Sequence, residues 1–142
     1  MFNPSLEQAR SFFIEVWNKQ KLSKIMTPIE EATATWILEH PQFHADLSNK
    51  ESIKNIYNSS CLESNPFLHL SMHLAVSEQL LIDQPCGIKA AYNKLVISNN
   101  PHTAAHKIIK CLKLTIKDSQ NYGIKLDSNK YLMRIKEMVS KS

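Results

Sequence analysis

"NPFLHLSMHLAVSEQLLI", residues Asn65 to Ile82, opens with a helix start signal and then carries two histidines into an apolar face. The Asn65 side chain can accept a bond from an early helical amide. Pro66 stands at the first helical position, where the missing N–H has no intrahelical partner to lose. On a helical wheel Ser71, Glu78 and Gln79 collect towards one side, and Leu70, Met72, Leu74, Val76, Leu80 and Leu81 spread around the other. The spacing therefore predicts an amphipathic helix over Pro66 to Ile82. His69 and His73 fall in the middle of its apolar arc, flanked by Val76 and Leu80, and are expected to point inwards.

The same start signal recurs at Asn3-Pro4, Thr27-Pro28 and Asn100-Pro101. "TPIE" is its fullest form, because Glu30 stands three residues after Thr27 and completes a capping box. These signals predict helices over Pro4 to Lys19, Pro28 to Glu39 and Pro101 to Asn121. Two more are expected, from about Pro85 to Ile97 and from Ser128 to Ser140, where Gly123 stops one helix and Asp127 or Ser128 caps the next. Between Ala45 and Ser64 the periodicity is weak, with a short helix expected around Glu51 to Ile56. Only two glycines occur in 142 residues, too few for the tight turns of an all-β domain. With 43% hydrophobic residues the chain can bury a core without staples, and no stretch reads as a linker. The expectation is an all-α, single-domain helical bundle of about five to six helices across residues 1–142.

Composition also excludes several classes. Cys61, Cys86 and Cys111 are odd in number and form no CxxC, which argues against a disulfide framework or a cysteine-based zinc ribbon. The start "MFNPSLEQAR" lacks the charged n-region and apolar core of a secretory signal, and no apolar run approaches the roughly 18 residues of a membrane span. A cytoplasmic location is expected. Gly-rich phosphate loops, a GxSxG elbow and a CxxCH attachment are all missing, so no nucleotide and no covalent haem are expected. The formal charge of +4 comes partly from Lys107, Lys110, Lys113 and Lys117, which share one side of a helix. Such a stripe can meet an anionic partner, RNA or an acidic protein, although a solvated lysine face is the plainer reading. Neither an arginine cluster nor an aromatic platform accompanies it.

All six histidines fall into pairs four residues apart: His40 and His44, His69 and His73, His102 and His106. In a helix that separation puts both rings on one face, where two imidazoles can chelate one ion. Pro41 disfavours a helical His40, so His40 is expected to end its helix and His44 to lie in a fresh turn. His102 falls beside the stripe of Ala105, Ile109, Leu112 and Ile116, whereas His106 leans towards the lysine face. Burial favours neutral imidazole, which is also the ligating form. The leading expectation is a site for one or two metal ions with His69, His73, His102 and His106 as inner ligands and His40 and His44 completing or closing it. Imidazole donors suit zinc, iron or copper. Glu30, Glu31, Glu39 and Glu78 are the nearest carboxylates in sequence, but none has the Glu-x-x-His spacing of di-iron bundles. Two competing readings stand beside this one. The histidines can be structural in a non-catalytic interaction module, or one can act as a general base, for which no nucleophile is evident: Ser71 and Ser77 read as packing or surface residues.

The segments "MFNPSLEQARSFF", "TPIE", "HPQFH", "NPFLHLSMHLAVSEQL" and "NPHTAAHKIIKCL" together resemble a bacterial family of small proteins, domain of unknown function 1841. The resemblance runs from Met1 to about Gln120 and implies a helical, bacterial, cytoplasmic protein with no established reaction. It carries over an ordered motif set at His40, His44, Asn65, Pro66, His69, His73, Glu78, Gln79, His102, His106 and Cys111, with no assigned role for any of them.

Overall fold

A computed structural model describes residues 6–54 and 65–141, which are helical with no strand among them. The expected Asn3-Pro4 start and Cys61 lie outside the described residues. Seven α-helices occur among the described residues: α1 (Leu6–Lys21), α2 (Pro28–Leu38), α3 (His44–Leu47), α4 (Pro66–Ile82), α5 (Ile88–Ser98), α6 (Pro101–Tyr122) and α7 (Ser128–Ser140). The count exceeds the expected five to six because the break at Pro41 yields a 3-10 turn, Pro41–Phe43, followed by the separate helix α3. The short helix expected around Glu51 to Ile56 is a second 3-10 turn, Lys50–Lys54, and the last two residues of the expected span lie outside the described residues. There the Ser52 hydroxyl donates to the Asp46 and Asn49 carbonyls, both at 2.6 Å, and the Asn49 side chain accepts from the Glu51 amide. Side chains thus take up backbone groups that an α-helix would have paired.

The start signals act as their chemistry requires. Thr27 accepts from the Glu30 amide while the Glu30 carboxylate accepts from the Thr27 amide, so α2 begins with a reciprocal capping box. Asn100 accepts from the Thr103 amide at 2.8 Å, and Asp127 accepts from the Lys130 amide at 3.1 Å. Helix α5 starts three residues later than expected. Asp83 Oδ1 accepts from the amides of Gly87 and Lys89, and Gly87, at φ 103°, precedes the first helical residue.

The chain divides into two compact units, Met1–Leu74 and Ala75–Ser142, where one domain is the sequence expectation. In the first, α1 packs on α2 and on the 3-10 turn at Lys50–Lys54. Phe13, Val16 and Trp17 of α1 meet Ile37 of α2, Leu47 of α3 and Leu70 of α4 in one apolar cluster. In the second, α5, α6 and α7 pack pairwise against one another. Its core holds Ile88 and Leu95, Ile108 and Leu112, and Tyr131 and Ile135. Tyr131 donates to Gln79 Oε1 at 2.6 Å, and Arg134 donates to Thr115 Oγ1 and to Asp118 Oδ2. Gln79 of the motif set thereby gains a structural partner. No helix among the described residues is long and apolar enough to cross a membrane.

Candidate metal centre

Pro41 builds one side of the site. It prevents α2 from continuing, and His40 takes φ −126° and ψ 68°, outside the helical region. The His40 amide donates to the Ile37 carbonyl at 3.0 Å, and its Nδ1–H donates to the Trp36 carbonyl at 2.7 Å. A carbonyl accepts only, so this contact puts the proton of the neutral ring on Nδ1 and leaves a lone pair on Nε2.

The other side comes from α4. His69 and His73 project from successive turns, with ring centroids 4.8 Å apart. His69 Nε2 lies 2.9 Å from His40 Nε2, and His73 Nε2 lies 3.1 Å from His69 Nε2. His40 and His73 are fully buried and His69 is 7% exposed. Aromatic rings wall the group: Trp36 stacks on His73 at 4.1 Å, Phe43 lies parallel to His40 at 5.3 Å, and Phe43 meets His69 edge-on at 5.5 Å.

Two separate proton donations between neutral rings do not account for both short nitrogen contacts, which would have to share the one His69 proton. With a lone pair on His40 Nε2, the first contact is a hydrogen bond only if His69 Nε2 carries the proton. His69 Nε2 then has no lone pair to accept from His73, and its single proton is already directed at His40. If His69 Nε2 instead carries the lone pair, His40 must bear protons on both nitrogens to donate to it, which places an imidazolium in a buried aromatic pocket. A metal ion accepting all three lone pairs satisfies both contacts at once. The spacing fits as well: ligands at about 2.0–2.1 Å from one ion, separated by 90–109°, stand about 2.9–3.4 Å apart. All three rings offer a nitrogen within 4.8 Å of the others.

His44 does not join this group. Its Nε2–H donates to the Ile37 carbonyl at 2.8 Å, and its ring stacks on Trp17 at 4.1 Å. Trp17 is held in turn by its indole N–H donating to Ser48 Oγ. The turn after Pro41 thus sends His40 into the nitrogen cluster and His44 against α1. His102 and His106 belong to the second unit and meet each other, Nε2 to Nε2 at 3.0 Å, near the start of α6. One shared proton satisfies that contact. His102 is half-buried and His106 exposed, in line with their expected faces.

The neighbouring candidates have structural or solvent-facing positions. Glu30 is held by the capping box and by Lys19 at 2.6 Å, which keeps its carboxyl below the usual range, while Glu31, Glu39 and Glu78 are exposed. Cys111 is buried, and burial pushes its thiol pKa up, away from nucleophile or ligand chemistry. Lys110 and Lys117 are exposed and Lys107 and Lys113 half-buried along α6. Trp36 is the contributor that the histidine pattern does not reveal. Its one signal in the sequence is its place four residues before His40, where a helical carbonyl meets a side chain one turn on.

No curated protein and no solved structure matches the chain. A family model does match, over residues 5–137, nearly the whole length. With helices, capping motifs and histidine pairs falling inside that match, the chain belongs to the family described as Domain of unknown function (DUF1841).

Proposed function

We propose that this protein binds a transition-metal ion through Nε2 of His40, His69 and His73. The observation that carries the reading is the pair of buried Nε2···Nε2 contacts at 2.9 and 3.1 Å, which bring three imidazole nitrogens together and which neutral rings satisfy only by splitting one proton. The His40 Nδ1–H bond to a carbonyl supports it, because ligating histidines characteristically donate their second nitrogen in this way. An all-imidazole donor set suits zinc, iron or copper over magnesium or calcium. The free thiols Cys86 and Cys111 suit a reducing, cytoplasmic setting. We keep His102 and His106 as a candidate two-nitrogen locus to be scored on its own, and His44 as a residue that orients the turn.

Elemental mass spectrometry on untagged protein, with metal counted per chain, tests the assignment. One zinc, iron or copper is expected per chain and is lost in His69→Ala and in His73→Ala. It is retained in His44→Ala. A second ion lost only in the His102→Ala, His106→Ala double variant assigns metal binding to that pair. Wild-type protein without metal, even after anaerobic reconstitution, overturns the reading and leaves the histidines structural.

A further inference from the structure

We propose that the outward arc of α6 is a docking surface for double-stranded DNA, held through its phosphates without regard to base sequence. The inference is independent of the metal assignment. Charge divides unevenly along the chain: residues 75–142 hold eleven lysines and arginines against five aspartates and glutamates, a formal +6, whereas residues 1–74 hold six against eight, a formal −2. Such asymmetry points to a polyanionic partner for the basic unit. Three of the five acids in that unit are already engaged, since Asp118 meets Arg134 and Lys130, Asp127 caps α7 and Asp83 accepts from two amides. Three lysines of α6 are not. Lys110, Lys113 and Lys117 stand at i, i+3 and i+7 on one face, a row about 10 Å long. Lys110 and Lys117 are exposed, Lys113 is half-buried, and none of the three makes an ion pair among the described residues.

The makeup of this face selects among polyanions. Interfaces with proteins are enriched in arginine and aromatic residues and depleted in lysine. Helices that dock on anionic bilayers insert Trp, Phe or Leu. Helix α6 holds no Trp or Phe, and of its Leu and Ile residues only Leu114 is exposed, while Ile108, Ile109 and Leu112 are buried in its own unit. Single strands call for aromatic stacking platforms, which the row lacks. Duplex phosphates call only for mobile cations. The B-form major groove, about 12 Å wide, also admits an α-helix, whereas that of duplex RNA is too deep and narrow.

The test follows the fluorescence anisotropy of a labelled DNA duplex of mixed sequence with the full chain, as salt rises from about 50 to about 200 mM. Three phosphate contacts predict an affinity that falls at least about fortyfold over that range. Lys110→Gln, Lys113→Gln and Lys117→Gln together should lower the slope of log affinity against log salt by about three, one for each lysine. A matched variant with Lys89→Gln, Lys125→Gln and Lys136→Gln removes equal charge from exposed positions of the same unit, and should keep the wild-type slope to within about one. Absence of salt-sensitive binding by the wild-type chain overturns the proposal. Equal loss of slope in the two variants overturns it too, because binding then follows net charge and not the row on α6. Tighter binding to an RNA duplex of the same length, or to vesicles containing phosphatidylserine, overturns it in favour of that partner.

Discussion

Trp36 touches two of the three imidazoles with two different parts of itself. Its carbonyl accepts from His40 Nδ1 at 2.7 Å, and its indole stacks on His73 at 4.1 Å with 23° between the planes. A substitution leaves the carbonyl in place and removes only the indole, so the two roles are separable. Trp36→Phe is expected to keep one metal per chain, whereas the stacked indole should report on the ion. The chain has two tryptophans, and the other, Trp17, stacks on His44 outside the nitrogen cluster. Copper(II) or cobalt(II) should therefore quench the larger part of the Trp36 emission. Steady-state fluorescence should show the quench surviving in Trp17→Phe and collapsing in Trp36→Phe. A quench of equal depth in both variants would place the ion away from His73.

Three helices end by the same device, and only one shows it in its sequence. The amides of Lys24, Gln84 and Ile124 each donate to the carbonyl five residues back, at Lys19, Gln79 and Ser119. The residue before each donor is left-handed: Ser23 at φ 52°, Asp83 at φ 52° and Gly123 at φ 62°. This is the Schellman closure, which glycine adopts without penalty. Gly123 was readable as a helix stop, but Ser23 and Asp83 carry no such mark, so the ends of α1 and α4 had to come from periodicity alone. A left-handed non-glycine residue costs about 1–2 kcal/mol, and glycine loses about 0.5–1 kcal/mol to chain entropy, so Ser23→Gly should stabilise by about 0.5–1 kcal/mol in urea unfolding. Asp83→Gly should gain nothing, because it also removes the carboxylate that accepts from Gly87 and Lys89. At the other end of a helix, Thr27→Ala should cost about 1 kcal/mol by breaking the capping box. Helix starts were legible because Asn-Pro and Thr-Pro carry their mechanism in the side chains. His69 and His73 were legible as inward residues for a similar reason, since a single helix fixes both. The partnership of His40 with them was not, because it depends on how the chain turns after Pro41. The wheel also gave Leu81 to the apolar side, yet it is 83% exposed, since a wheel assigns a direction without saying whether anything packs there.

For the whole chain, the boundary between units falls between Leu74 and Ala75, inside α4, so no linker composition could announce it. Each unit carries a carboxylate held by cations. Lys19 beside Glu30, and Arg134 and Lys130 beside Asp118, hold those carboxyls below their ordinary ranges. The folded chain then binds these protons more weakly than the unfolded chain. Their stabilisation is present above the unfolded values near about 4, and it is lost as pH falls through the lower folded ones. The urea midpoint should drop across that window, and the drop should be shallower in Glu30→Gln and in Asp118→Asn. A metal held at the proposed site would act on stability from the opposite direction, by mass action on the folded state. The His69 and His73 rings stand together only while α4 is helical, and His40 meets them only in the folded first unit. The unfolded chain would therefore bind the proposed ion far more weakly. Free metal at a hundredfold its dissociation constant should add about 2.7 kcal/mol, seen as a rise in Tm that grows with metal concentration. His69→Ala should abolish that rise and His44→Ala should keep it. A rise that persisted in His69→Ala would mean that metal stabilises the protein from some other place.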